Sequence, residues 1–414
     1  KEIEESDNKR IKAWYDLLNQ KDEGYKNNAK WSDPKLIASD WDTMKIPGYL
    51  SETKLGSVNG VIWFRKNFTV SIELAGKEAK LNLGRIVDAD SVFVNGVFVG
   101  TVTYQYPPRR YTIPANVLKE GENTIVIRVI NNSGNCGFVL DKPYEIVVEK
   151  ERVDLKGDWQ YRLGATMEPL GSQTFIRWKP VGLHNGMLAP LFSYNIRGVA
   201  WYQGESNSWN PVEYRKLLPA LINDWRSKWN IGNFPFIIVQ LPNFMEAKPN
   251  PSESNWALMR EAQQKALSLK NTALAVAIDI GEWNDVHPLN KKDVGNRLAL
   301  AAQKIAYGEK KVVHSGPTYT SMKVNGDKII LSFTNTGSGL IAKGNTVLKH
   351  FAIAGADKKF VWAKAIIAGN KVVVNSDEVA NPVAVRYAWA DNPEGANLYN
   401  KEGLPASPFR TDDF

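Results

Sequence analysis

The chain has 414 residues, 43% of them hydrophobic and 23% charged, a globular balance whose length calls for two or three domains. Its 52 basic and 44 acidic residues leave a net charge of +8, but the charges are scattered and no basic block exceeds a few residues, which argues against nucleic-acid binding. Cys136 is the only cysteine, so an internal disulfide and a cysteine-based metal cluster are excluded, and no apolar run approaches a membrane span.

The first residues, Lys-Glu-Ile-Glu-Glu-Ser, do not read as a signal peptide. From about Ser6 to Tyr25 the spacing predicts an amphipathic helix carrying Ile11, Trp14, Leu17 and Leu18 on one face, too short to be a domain. From about Trp31 to Leu163 the period changes to that of strands. Val61–Val70, Ala79–Leu83 and Thr124–Ile130 are expected strands, and Ser91–Gly100 an expected hairpin, because Asn95-Gly96 favours a type I′ turn. Short strands at this spacing predict a β-sandwich. The pattern resembles the jelly-roll, galactose-binding-like domains, and it includes a Leu-x-x-Gly-x-Asn turn at Leu118–Asn123. Such domains serve as sugar binders or as scaffolds.

From about Pro180 to Gly308 strands and helices alternate, which predicts a parallel α/β sheet. Ile196–Tyr202, Phe234–Leu241 and Thr272–Asp279 are its expected strands. A helix opened by Pro211, then Asn255–Leu269 and Val294–Ala306, are its expected helices. Three such units are few for a free-standing doubly wound domain, so part of the sheet is expected to come from elsewhere. From about Lys311 the chain is β-rich again, at Val324–Phe333, Lys371–Asn375 and Val383–Trp389.

Two loops at strand ends carry the chemistry. The first, after Tyr202, holds Gln203, Gly204, Glu205, Ser206 and Asn207; a solvated loop is the plain alternative. The second, after Asp279, holds Asp285 and His287. Of the chain's four histidines, only His287 has a carboxylate two residues before it on such a loop. A hydrolytic histidine needs an acid that holds its tautomer and stabilises the imidazolium. A merely structural loop histidine is the alternative, and a zinc site is weaker still because no second histidine stands at ligand spacing. Ser206 sits in a strand–turn–helix setting, but Ser208 occupies the place where a Gly-x-Ser-x-Gly elbow requires glycine.

Trp201-Tyr-Gln-Gly-Glu-Ser-Asn207, Asp285-Val-His-Pro-Leu-Asn-Lys291 and Val294-Gly-Asn-Arg-Leu-Ala299 together resemble the sialate O-acetylesterases, SGNH-type carbohydrate esterases. The likeness extends to Asn185–Pro190, Trp256–Gln263 and the tail Asn397–Arg410. It implies an α/β fold, a partial SGNH-hydrolase-like three-layer sheet, with an inserted jelly-roll β-sandwich and a small C-terminal β-domain. The expected divisions are a helical segment of the catalytic domain at 1–30, the sandwich at 31–163, the C-terminal half of the catalytic domain at 164–309 and the β-domain at 310–414.

The resemblance also implies roles. His287 would be the general base, with Asp285 or Glu205 as its acid partner, Asp285 being favoured. Gln203, Gly204 and Asn207 would bind the oxyanion or the substrate, which would be an acetylated sialic acid or related glycan. No cofactor or metal is implied. The family's Gly-Gln-Ser-Asn-Met nucleophile turn and its Ser-Trp-Gly-Gly-Thr-type turn are not found in the chain, and both would precede Lys1. The expectation is therefore the C-terminal part of a periplasmic or secreted esterase, with the serine missing from this chain and its source left open; a homo-oligomer or a missing N-terminal polypeptide is the expected partner. The competing expectation is a non-catalytic glycan-binding or scaffold protein, or an inactive fragment.

Overall fold

The computed structural model describes residues 2–26, 30–175, 179–344 and 347–414, so positions 27–29 of the expected segment 1–30 and 176–178 of the expected 164–309 lie outside the described residues. Two compact units divide the chain, Lys1–Pro180 and Val181–Phe414. Among the described residues no helix is long and apolar enough to cross a membrane.

The first unit is a β-sandwich with a helix on its outer face. Helix α1 (Glu2–Lys21) is followed by strands β1 (Asp42–Ile46), β2 (Gly60–Val70), β3 (Ala79–Leu83), β4 (Ala89–Val94), β5 (Val97–Val102), β6 (Arg110–Ile113), β7 (Gly121–Asn131), β8 (Tyr144–Val148), β9 (Glu151–Asp154) and β10 (Gly157–Thr166). One sheet runs β1-β10-β2-β7-β4-β5 and the facing sheet β9-β8-β3-β6. Strand β2 shows why its sequence is apolar at nearly every position, where a half-exposed strand would alternate. Ile62, Phe64 and Phe68 enter the core between the sheets, with Leu81, Leu83 and Ile146. Val61 and Trp63 face the other way, into a cluster with Leu18 of α1, Trp31 and Trp41. Burial on both faces removes the polar alternation.

Asp22, fully buried just past α1, fixes the helix to this sheet. It accepts from Trp63 Nε1 at 2.9 Å, from the Gly24 main chain at 3.0 Å and from Arg128 Nε at 2.7 Å. The helix expected as a segment of the catalytic domain thus packs within the sandwich unit. The β4–β5 hairpin turns at Asn95-Gly96, both at positive φ (49° and 81°), as a type I′ turn requires. Asn123, the last residue of the Leu-x-x-Gly-x-Asn turn, accepts from Lys119 N at 2.9 Å and from Asn95 Nδ2 at 2.7 Å, so this turn and the hairpin lock each other.

In the second unit, β11 (Val199–Trp201), β12 (Phe236–Val239) and β13 (Thr272–Ala275) form a parallel sheet in the order β11-β12-β13. Phe236 and Ile238 point to the face covered by α2 (Pro211–Trp229) and α3 (Asn255–Lys265). Ile237 and Val239 point to the face covered by α4 (Lys291–Ile305). Helices therefore cover both faces. The expected strands overran: β13 ends at Ala275, four residues short of Asp279.

The C-terminal strands form two four-stranded antiparallel sheets and a two-stranded ribbon. Their apolar residues, Phe351, Ile353, Tyr387 and Phe409 among them, share one continuous core with Phe236 and Ile238 of the parallel sheet. At the other side of that sheet β11 is an edge, and no described strand pairs with its outer side. The same unit exposes several large apolar residues, Tyr194 at 68%, Trp209 at 74% and Val212 at 59%, with Leu183, Met187 and Leu191. An open edge is what a sheet needing further strands would leave.

Candidate active site

The turn after β11 is built by packing around a glycine. Gly204 is buried, and a Cβ there would lie 3.0 Å from Gln263 Nε2 and 3.2 Å from both Leu241 Cδ2 and Met259 Cε, so a larger residue would push the turn away from α3. Gln203 is held at three points. Its carbonyl accepts from Gln263 Nε2 at 3.1 Å, its Oε1 accepts from the Tyr214 hydroxyl at 3.0 Å, and its Nε2 donates to Asn207 Oδ1 at 2.8 Å. Glu205–Asn207 is a single 3₁₀ turn, closed by Asn207 N to Gly204 O at 2.9 Å and by Ser208 Oγ to Glu205 O at 2.8 Å. Glu205 and Asn207 are half-buried and Ser206 is exposed. The Gln203–Asn207 bond occupies one Gln203 N–H and fixes the planes of both amides, as a preorganised donor pair requires.

Beyond β13 the chain is held by an ion pair. Arg297 of α4 grips Asp279 with both nitrogens, at 2.6 and 2.7 Å, and the Tyr399 hydroxyl donates to Asp279 at 2.8 Å. Burial alone would raise the Asp279 pKa, but the Arg297 hydrogen bonds and charge, with the Tyr399 bond, outweigh it and hold the carboxyl below its ordinary value. Gly281 follows, and a Cβ there would meet Asn243 O at 2.1 Å, while its N–H donates to Asn243 Oδ1 at 2.7 Å. Asp285 is only 2% exposed and accepts the main-chain N–H of His287 at 2.9 Å, and Leu289 N donates to Glu282 Oε1 at 2.7 Å. These bonds shape a tight loop that carries His287 at the surface.

The ends of β11 and β13 are separated by β12. What links the two turns is Lys291, the first residue of α4. Its Nζ donates to the Tyr202 hydroxyl at 3.3 Å and lies 4.8 Å from the centre of that ring. Burial lowers the Lys291 pKa, while the carboxylates of Glu205, Asp285 and Glu282 oppose the shift. The structure thus groups Gln203, Gly204, Glu205 and Asn207 in one turn, sets Asp285 and His287 in another, and links the two by the Lys291–Tyr202 contact. Tyr202 is itself raised to about 12, by burial first and then by the charge of Glu205, so it remains a neutral phenol at ordinary pH. Among the described residues no three His, Cys, Asp or Glu side chains converge as metal ligands would.

The Trp256–Gln263 motif supports the loops. Arg260 is fully buried and donates to four main-chain carbonyls: Leu241 at 2.9 Å, Pro242 at 2.7 Å, Ala390 at 2.7 Å and Asp391 at 2.9 Å. Burial pulls its pKa down to about 9, against the charge of Asp391. Gln263 accepts from Leu241 N at 2.9 Å while holding Gln203. Sequence reasoning quoted this motif without assigning these duties. The polar Arg and Gln, set among the apolar positions of a buried helix face, were the signal.

Residues 179–304 match the family model described as carbohydrate esterase, sialic acid-specific acetylesterase, a range that contains both turns. Sialate O-acetylesterases of Homo sapiens and Mus musculus are each 31% identical to the chain, over 255 and 254 residues. The aligned part is 55% of this chain in both cases, and 48% of the human and 46% of the mouse protein. The chain is related to the sialate O-acetylesterases. It spans about half the length of these curated relatives. Residues 25–135 match the β-galactosidase second all-beta domain, in keeping with the expected sandwich. Among solved structures, XAC1771, a novel carbohydrate acetylesterase from Xanthomonas citri, is 29% identical with a TM-score of 0.55, covering 84% of this chain and 100% of that one.

Proposed function

We propose that the protein is a carbohydrate O-acetylesterase of the SGNH type, which removes O-acetyl groups from sialic acids or related glycans by acyl transfer through serine. The observation that carries this reading is the pairing of two preorganised turns, joined through Lys291, inside the segment that matches the esterase family. In the proposed reaction His287 takes the serine proton as the hydroxyl attacks the acetyl carbonyl. The tetrahedral oxyanion is met by amide donors of Gln203 and Asn207 and by the main chain at Gly204, and such a donor typically contributes about 3 kcal/mol to the transition state. Collapse transfers the proton from His287 to the departing sugar oxygen. Water then attacks the acetyl-serine by the same route and releases acetate. Asp285, buried two residues before His287, serves as the acid partner, and Glu205 acts from the opposite turn.

The nucleophile turn of the family is not among the 414 residues. We propose that a polypeptide segment adding to the open edge of β11 supplies the serine. The test is acetate release from O-acetylated sialic acid, with His287→Ala as the control. The variant should lower kcat by about a hundredfold or more, with KM little changed. Activity that survives His287→Ala refutes the assignment. Glycan binding without acetate release, in preparations with and without the serine-bearing segment, favours a non-catalytic role.

A further inference from the structure

Lys291 stands where helix physics disfavours it. As the first residue of α4 it faces the positive end of the helix dipole, which repels cations. The residue is exposed, with its ammonium 4.8 Å from the centre of the Tyr202 ring, and partial burial lowers its pKa. Neither the dipole nor the loss of water stabilises a lysine there. What compensates is the Tyr202 hydroxyl and ring, with the charges of Glu205 from the first turn and of Asp285 and Glu282 from the second acting against the effect of burial. Those groups come from two loops whose strands do not touch, because β12 lies between β11 and β13. Gln263 of α3 also ties down the first turn, and Asn243 after β12 ties down the second.

We propose that Lys291 is a positioning residue for ester hydrolysis: its ammonium, carried at the start of α4 just past the His287 loop and seated on Tyr202 at the head of the first turn, keeps the Gln203–Asn207 donors in register with the His287 loop. The inference rests on the esterase reading above. An anchor for a substrate anion is disfavoured, since three carboxylates act on this one ammonium and would repel a fourth. A displaced donor of about 1 Å is enough to cost a large factor in rate, because the oxyanion interaction exists only at the right geometry.

The experiment compares Lys291→Met, Lys291→Arg and Tyr202→Phe in hydrolysis of 4-nitrophenyl acetate by the chain together with its serine-bearing segment, alongside hydrogen exchange of the 414-residue chain. Lys291→Met should lower kcat by about tenfold or more with KM within about twofold. Lys291→Arg, which keeps the charge, should recover most of the loss. Tyr202→Phe keeps the ring and loses the hydroxyl, so it should fall between. Exchange in 203–207 and 285–289 should quicken together in Lys291→Met, by about tenfold, with the melting temperature unchanged. An unchanged kcat, a loss confined to KM, or quickened exchange on one turn alone overturns the proposal. If the unsubstituted chain together with the serine-bearing segment releases no acetate, the esterase reading fails, and exchange alone then decides whether Lys291 couples the turns.

Discussion

The Asp279–Arg297 pair offers a quantitative test of how the His287 loop is held. Asp279→Asn keeps the shape of the side chain but removes its charge. Both partners are largely buried, with side-chain exposures of 13% and 11%, so Arg297 would be left as a buried charge without its counterion. Breaking a buried pair in this way costs about 3–5 kcal/mol, more than replacing both partners together. For a unit of this size that is a fall in melting temperature of roughly 6–20 °C. The double variant Asp279→Asn/Arg297→Met should be no less stable than Asp279→Asn alone, because it removes the stranded cation.

The pH dependence follows from the direction of the shift. The folded carboxyl titrates below its ordinary value of 3.8, so its stabilisation is complete above that pH. It is lost as pH falls through the lower folded value. Urea unfolding at pH 7, 5 and 3, followed by tryptophan fluorescence, should show the same gap between wild type and Asp279→Asn at pH 7 and 5, narrowing toward pH 3 and below. A cost under about 1 kcal/mol at pH 7, or a gap that widens in acid, would mean that the pair is not the fastening described.

Two further substitutions probe the local arguments. Gly204→Ala should press on Gln263 and displace the turn, costing about 1–3 kcal/mol by urea unfolding and lowering acetate release; wild-type values for both would show that the turn has room. Asp22→Ala strands Arg128 and the Trp63 indole in the sandwich unit, and should cost about 3–5 kcal/mol in that unit's unfolding transition; early release of α1 to limited proteolysis checks it, and unaltered cleavage argues against the anchor.

The local pattern was most legible where geometry is fixed by neighbours in sequence. Asn95-Gly96 dictated its hairpin because both residues tolerate positive φ. The two turns stood out because polar residues follow long apolar runs. Strand ends were less legible. Val276–Ile278 continue the apolar run of β13, yet the Val276 carbonyl is taken by Arg297 from α4, and the ladder stops at Ala275. Periodicity cannot register a guanidinium arriving from twenty-one positions away. The start of α4 was missed in the opposite sense. Its first turn, Lys291–Asp293, is polar and capped by Asn290, whereas apolar periodicity begins only at Val294. Strand order was not legible at all, since it depends on crossovers and not on the strands themselves. The Lys291–Tyr202 contact, 89 residues apart in sequence, depends on that order.

The residues that carry the family likeness divide by physical duty, and the division bears on which of them do chemistry. Turns that leave a parallel sheet expose carbonyls that no strand can pair, and burying them unpaired would cost about 1–3 kcal/mol each. Arg260 answers two of these, at Leu241 and Pro242, along with the Ala390 and Asp391 carbonyls; Gln263 answers that of Gln203, and Asn243 accepts the Gly281 N–H, all from within the protein. These side chains would be required in a purely structural relative as much as in an enzyme. Asp285 belongs partly to this class, since it holds the His287 main chain from a buried position. His287 stands at the surface and Glu205 is half-buried, so duty in holding the fold does not account for them as it does for Arg260. The bottom-up case for catalysis therefore rests on His287, Glu205 and the Lys291 that joins their turns, more than on the better-buried part of the motif.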